Sequence, residues 1–425
     1  MVQLMLNGFG GDRRRGVEAP SEGTRPVSGR DGALGTSGSD SYSIDCYHVN
    51  ARLSRQLEDI GDFRFSKFLL LLRYCVEAIW CRFRYGVRNL YYIPAPGKRS
   101  ALYRDWLVML LCRPFFDRTI LHWHAAGLAK WLETVVQMRS RSLTYRLMKR
   151  VDLSIVLSRF NRADAEKLFS RRVKVVSNGI PDPCPEFAQE VLPRRKARLD
   201  FRRRLVSREA VQPEAPTECG ADPAVIRVLY LAHCTREKGL FDTIAGICMA
   251  NRRLTESKSP ISLRLLVTGT FVTAEEREEF DSTVAEPGAR DIIQYLGFVS
   301  GDQKNQLLNH ADLFCFPTFY QNENQPVNLI EAMAFGLPIL TTRWRSIPEL
   351  FPGNYAGLVD IRQPGQIAAK LMALALQESG EIFREIFERE FTLERHLRGL
   401  ADALHGVEVA EPARAPKPAM EATNR

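Results

Sequence analysis

No stretch of about 18 uncharged apolar residues occurs anywhere in the sequence, so no membrane-spanning helix is expected. The nearest approach, Phe68 to Trp80 (FLLLLRYCVEAIW), is interrupted by Arg73 and Glu77 and reads as an amphipathic core helix. No Cys-x-x-Cys pair exists among the nine cysteines. Cys75, Cys81, Cys234, Cys248 and Cys315 fall in apolar segments, which reads as buried free thiols in a reducing compartment rather than disulfides or metal ligands. No nucleic-acid-binding motif is present, and few aromatics interleave with the basic runs, so no nucleic-acid partner is expected. No Asp-x-Asp pair stands near a strand end, and no metal site is expected. The opening MVQLMLNGFGG is too short and glycine-rich to read as a secretion signal.

What is present is an ordinary globular composition, 45% hydrophobic and 26% charged, in a chain of 425 residues. That length exceeds a single core and predicts two domains. The net charge of +9 is unevenly spread: residues 1–212 hold 38 Lys and Arg against 21 Asp and Glu, and the remainder holds 21 against 29. A basic front half and an acidic back half suit different partners. The basic half reads either as scattered solubilising charge or as a surface for phosphates, on a diphosphate-linked substrate or an anionic membrane face.

Residues 1–41 are rich in Gly, Arg, Ser and Asp and read as a flexible segment. From residue 42 to 185, short apolar strands alternate with helices. A helix from Tyr47 to Gly61 and another from Ser66 to Arg84 precede strands at Asn89–Pro94, Arg118–His124, Asp152–Ser158 and Val173–Gly179. Helices fit Ser100–Phe116, Leu128–Lys149 and Arg159–Phe169. Residues 186–223, proline-rich and carrying the basic run RRKARLDFRRR, read as a linker with a short helix. The alternation restarts over 224–390. A helix over 391–406 is expected to cross back to the first domain, and 407–425 reads as a disordered tail. The fold class is therefore α/β: two doubly wound Rossmann-like domains, each a parallel sheet covered on both faces, facing a cleft.

The stretch QNENQPVNLIEAMAFGLPILTT, Gln321 to Thr342, carries the chemistry. The segment ADLFCFP before it is a strand, and ligands of open α/β sheets bind beyond the carboxyl ends of strands. Pro326 suits the first turn of a helix, where its missing N–H costs nothing. The helix begins near Val327, Asn328 and Leu329, and its amino end is a ready site for a diphosphate. Glu323 in the loop and Glu331 about one turn inside the helix flank that position. Carboxylates repel phosphate, so they make sense there as acceptors for hydroxyls on either side of it. A nucleotide sugar supplies such hydroxyls, a sugar at one end and a ribose at the other. Taken singly, each acid also reads as a solvated surface group.

The run ENQPVNLIEAMAFGLPILTT resembles the Glu-x7-Glu signature of family 4 retaining glycosyltransferases of the two-domain GT-B fold, with Glu323, Pro326, Glu331, Ala332, Met333, Gly336 and Pro338 all fitting. The resemblance implies that Glu323 contacts the donor sugar and Glu331 the ribose, with Asn324, Gln325 and Pro326 lining sugar and phosphate through their backbone. Many relatives have a Gly-Phe-Gly-like loop at that point, and NQP is a variant. VLYLAHCTREKGLFDTI resembles the first strand-turn-helix of the family's second domain, so Lys238 is expected to bind the diphosphate. The family has Gly-Arg where this chain has Ala232-His233, and Arg236 stands three residues on as a substitute. ILHWHAAG resembles the strand whose histidine sits near the donor sugar, which points to His124 rather than His122. VKVVSNGI and TTRWRSIPEL also resemble family segments, with Asn178, Gly179 and Glu349 in structural roles. The family's first strand and glycine-rich loop fit poorly, because only Val2–Leu6 and Gly10-Gly11 are available.

The resemblance implies retaining, metal-independent transfer of a sugar from a nucleoside diphosphate sugar, a co-substrate rather than a bound cofactor. The acceptor would be a glycan or a polyprenyl-diphosphate-linked glycan, and the setting cell-surface polysaccharide biosynthesis. The place would be the cytoplasm, with peripheral contact at the inner face of the cell membrane through the helices Ser66–Arg84 and Ser100–Phe116; ordinary packing is their alternative role. A catalytically weak scaffold or binding subunit of a polysaccharide-assembly complex is the first rival. A nucleotide-sugar 2-epimerase is a second, with less support from the EAMAFG context.

Overall fold

The computed structural model describes residues 9, 44–50, 65–94, 96–208, 222–376 and 380–409. The flexible segment, the Val2–Leu6 strand, the Gly10-Gly11 loop, most of the Tyr47–Gly61 helix and nearly all of the 407–425 tail lie outside these residues.

Two parallel sheets organise the chain. In the first, β1 (Asn89–Tyr92), β2 (Arg118–Trp123), β3 (Leu153–Val156) and β4 (Val173–Val175) lie in chain order. In the second, the spatial order is β10 (Leu358–Val359), β9 (Ile339–Thr342), β8 (Leu313–Phe316), β5 (Val225–Leu231), β6 (Ser262–Thr268) and β7 (Ile293–Tyr295). Strands β3, β8 and β9 are buried along their whole length. Their burial on both faces follows from helices covering the sheet on either side. Strand β5 pairs with β6 on one side and β8 on the other. The chain thus winds outward to β7 and returns across β5 to continue in the opposite direction. At that reversal the connections after β5 and β8 lead in opposite directions across the sheet, the position at which open α/β sheets form a crevice.

Several elements depart from the expectation. The helix expected over Leu128–Lys149 is two, Leu128–Thr134 and Met138–Met148. The β-branched run Thr134-Val135-Val136 disfavours helix at the break, and the Thr134 hydroxyl donates to the Lys130 carbonyl 2.9 Å away. A further helix at Gly380–Glu390 and the short β10 were not foreseen.

Residues 186–223 are less of a linker than their composition suggests. Leu192–Ser207 is a helix of 16 residues that packs on the second sheet. Arg198 and Arg202, four apart and on one face, both reach Asp312 at the start of β8, at 2.9 and 2.8 Å. Arg202 also donates to the carbonyls of Pro223 and Val225, and the Arg227 amide donates to Asp312 at 2.9 Å. Burial alone would raise the Asp312 carboxyl, but Arg202 and Arg198 overrule it and hold it at about 2.

The last helix runs to Val409, past the expected end at 406. Its Leu400, Ala401, Ala403 and Val407 pack against Ile120, Leu153, Ile155 and Val176 of the first sheet. The chain that completes the second sheet therefore closes the core of the first.

Replacing Asp312 by Ala would leave two buried guanidinium groups without their counter-charge. Loss of one partner of a buried pair costs about 3–5 kcal/mol. A fall of that size in the unfolding free energy read from urea denaturation is expected for Asp312→Ala, and an unchanged midpoint would refute the role given to this cluster.

Candidate active site at the crevice between β5 and β8

The loops beyond β5 and β8 touch. Gly239 has φ +82, and a Cβ there would lie 2.3 Å from the Pro317 carbonyl oxygen, so only glycine lets the loops meet. The Phe319 amide donates to the Glu237 carbonyl at 2.8 Å. This contact brings Lys238, at the start of the Leu240–Glu256 helix, to Glu323: Nζ lies 2.7 Å from Oε2. The Thr318 hydroxyl donates to the same oxygen at 3.1 Å, and the Lys238 ammonium sits 4.5 Å from the centroid of the Tyr320 ring. Glu323 is 8% exposed. A buried carboxylate needs such partners.

Pro326 caps the Val327–Ala334 helix with extended geometry, φ −64 and ψ 122. The Asn328 side chain ties this helix to β5 by donating to the Leu231 carbonyl at 2.9 Å. Val327 is partly exposed at the helix start. Glu331 lies 2.5 Å from the Lys304 ammonium, carried by the neighbouring Gly301–His310 helix. Lys304 was not foreseen; its sequence neighbourhood, GDQKNQLL, looks like any polar helix face.

Asn324 and Gln325 turn toward the first domain. The Asn324 Oδ1 accepts from Ser158 and from Ser346, each at 3.2 Å, and its Nδ2 is buried without a partner among the described residues. The Gln325 Oε1 accepts from the Asn178 amide at 2.5 Å, and the Asn178 side chain donates to the Gln325 carbonyl at 3.1 Å. Glu349, on the short Ile347–Leu350 turn of helix, accepts from the amides of Arg159 and Phe160 at 2.8 and 2.7 Å. The side chains of the NQP loop thus join the two domains.

Arg236 and His233 point elsewhere. The Arg236 guanidinium pairs with Glu279 and lies over the Phe241 ring, while His233 contacts the Thr270 hydroxyl at 3.2 Å. Neither makes a hydrogen bond or ion pair with Lys238 or Glu323 among the described residues.

On the other wall, His124 stands just past the end of β2, with its ring 4.2 Å from that of His122. His122 is fully buried and its Nδ1 shares a hydrogen bond with the Tyr91 hydroxyl. His396, from the last helix, stacks 6.3 Å from His122, and its Nδ1 donates to the Ser177 carbonyl at 2.6 Å. The Nε2 atoms of all three imidazoles are buried without a partner among the described residues. Burial, then the neighbouring His124 and His396, pushes His122 well below the usual histidine value; burial and His396 bring His124 down to about 4; burial lowers His396. Lowered from an ordinary value of about 6.5, these rings are predominantly neutral at pH 7. Tyr91 and His396 were not foreseen, because they come from distant segments that only the fold unites.

Residues 227–377 match the family model described as Glycosyl transferases group 1. The match runs from β5 to the end of the Pro364–Ala375 helix, and so contains Lys238, Glu323 and Glu331. WcaL of Escherichia coli (strain K12), named as a colanic acid biosynthesis glycosyltransferase, is 27% identical over 203 residues, 44% of this chain and 47% of that protein. The amylovoran biosynthesis glycosyltransferase AmsK of Erwinia amylovora is 26% identical over 190 residues, 42% of this chain and 44% of that one. The chain spans about half the length of these curated relatives in the match. Among solved structures, HepE of Anabaena in complex with UDP-glucose superposes with a TM-score of 0.54 at 14% identity, covering 79% of this chain and 82% of that one. The fold is GT-B.

Three neutral buried histidines make stability depend on pH. The unfolded chain binds protons near the ordinary value of 6.5, whereas the folded groups bind them only lower, His124 at about 4. The stabilisation is present above that ordinary value and is lost as pH falls from there toward the folded values. Urea unfolding followed between about pH 7 and pH 4.5 is expected to show falling stability. The decline should be shallower in His122→Asn, and an identical decline would refute the assignment.

Proposed function

We propose that this protein transfers a sugar, with retention of anomeric configuration and without a metal ion, from a nucleoside diphosphate sugar to a glycan or lipid-linked acceptor in cell-surface polysaccharide biosynthesis. The observation that carries the reading is the Lys238–Glu323 pair, 2.7 Å apart where β5 and β8 part. The names of WcaL and AmsK support polysaccharide biosynthesis, and the complex of HepE supports a sugar nucleotide as donor.

In this reading the diphosphate lies over the amino end of the Val327–Ala334 helix. Lys238 stabilises the negative charge that builds on the departing diphosphate. Glu323 accepts a hydroxyl of the transferred sugar, and Glu331 accepts the ribose hydroxyls, with Lys304 holding its carboxylate in place. His124, kept neutral by burial, hydrogen-bonds the sugar from the opposite wall. The acceptor hydroxyl attacks the anomeric carbon on the face that the diphosphate leaves. Its proton passes to the departing phosphate oxygen, the bond from carbon to that oxygen breaks, and nucleoside diphosphate is released. No protein nucleophile is required.

The Phe65–Tyr85 helix supports contact with an anionic membrane at the cytoplasmic face. Leu69, Val76, Trp80 and Phe83 are exposed along one side of it, with Arg73, Arg82 and Arg84 nearby. Among the described residues no helix is long and apolar enough to cross a membrane. A binding subunit with weak catalysis is the second reading. It is favoured by the commitment of Arg236 to Glu279, which leaves Lys238 as the cation of the β5 loop at the crevice.

Incubation of the purified protein with a panel of nucleotide sugars, with nucleoside diphosphate release as readout, tests the proposal. Release is expected for at least one donor. Glu323→Gln should lower it by about a hundredfold or more, the scale of losing one charge-stabilising contact in a transition state, while UDP binding persists. Lys238→Ala should weaken both. Full turnover in Glu323→Gln would overturn the catalytic assignment.

A further inference from the structure

We infer that Arg345 receives an anionic substituent, a carboxylate or phosphate group, on one of the sugar substrates; this deepens the reading above by naming a substrate class. Arg345 follows β9, which lies on the far side of β8 from β5. Its side chain reaches the first domain at Gly127. Its guanidinium occupies the space beside Gly127, where a Cβ would lie 2.5 Å from Nη1. Gly127 opens the helix that follows the His124 loop and has φ +92. The guanidinium thus bridges the His124 wall and the Glu323 wall.

Four observations fit recognition rather than structural pairing. First, Arg345 has no carboxylate within ion-pair distance among the described residues. By contrast, Lys238, Lys304 and Arg236 each have one. Its only side-chain hydrogen bond among those residues goes to the Gln321 Oε1, at 3.3 Å, and its Nε is buried without a partner. Second, it is flanked by the rings of Trp344 and Phe160, at 5.4 and 6.0 Å, within the range of cation–π attraction. Third, its backbone has φ +49, a conformation uncommon for a residue with a side chain and concentrated at binding and catalytic positions. Fourth, the nearest charges acting on it, Asp164 and Glu323, lie on opposite sides of the cleft. Asp164 is already occupied by the amides of Gly127 and Ala129, at 2.8 and 2.7 Å. A planar fork so placed matches a carboxylate or phosphate two oxygens at a time.

The substituent could belong to the donor or to the acceptor, and two arms separate these sources. In the first, binding of UDP-glucuronate and UDP-glucose is compared by calorimetry. In the second, binding of free glucuronate and glucose 1-phosphate is compared with that of glucose by protein-observed NMR, with no nucleotide present. Wild type is expected to favour the charged probe by about tenfold or more in one arm, the scale of a charge-assisted pair. Arg345→Gln should abolish the preference and Arg345→Lys restore only part of it. Gly127→Ala, which keeps the charge but displaces the guanidinium, should also reduce it. A preference in the first arm assigns the group to the donor, and one in the second alone to the acceptor. Equal responses of wild type and Arg345→Gln to every charged probe overturn the inference. Failure of all UDP-sugars to bind, with the second arm intact, would count against the donor reading and leave Arg345 standing.

Discussion

Two loops that leave neighbouring strands touch at Gly239 and Pro317, and the chemistry of the crevice follows from that contact. It exists because the second sheet changes direction at β5, so that strands distant in sequence lie side by side. The contact holds a lysine and a glutamate, 85 positions apart in the chain, within 2.7 Å. Neither residue alone would mark a site. Together, half buried beyond strand ends, they form a paired charge that a ligand with both phosphate and hydroxyl groups can divide between its parts.

The same pairing logic recurs one turn into the Val327–Ala334 helix, where Glu331 meets Lys304. Each acid thus has its own ammonium, and the crevice is nearly charge-balanced. Charge balance suits a dianionic diphosphate flanked by neutral hydroxyls, because binding trades one set of charge-assisted hydrogen bonds for another. The opposite wall contributes differently. Its three imidazoles are kept uncharged by burial and so add nothing to the field.

The alternation of short apolar strands with helices made the two-sheet architecture legible, since a strand covered on both faces must read as an apolar run. Glu323, Pro326 and Glu331 were legible because a proline followed by an apolar helical run marks a helix start. Other features were hidden for physical reasons. Arg198 and Arg202 looked like linker charges, yet Asp312, more than a hundred positions away, makes their burial tolerable. Lys304 meets Glu331, and His396 and Tyr91 meet His122, from segments whose local patterns are those of ordinary helices and strands. Arg236 stood at a plausible spacing, but Glu279 on the adjacent helix draws it outward. The role expected of Asn324 and Gln325 lay in their backbone, and nothing in their sequence showed that their side chains reach across to Ser158 and Asn178.

That last feature has a bearing on how such chains can be recombined. Ser158, Arg159, Phe160 and Asn178 on one side and Asn324, Gln325 and Glu349 on the other form a matched set, with four of the five contacts using a main-chain amide or carbonyl and the fifth the short Ser158 side chain. A chimera that joins this second half to a foreign front half inherits only one side of the set. The amides of residues 159, 160 and 178 come with any backbone of the same course, whereas the Ser158 hydroxyl and the Asn178 side-chain amide must be matched by the new front.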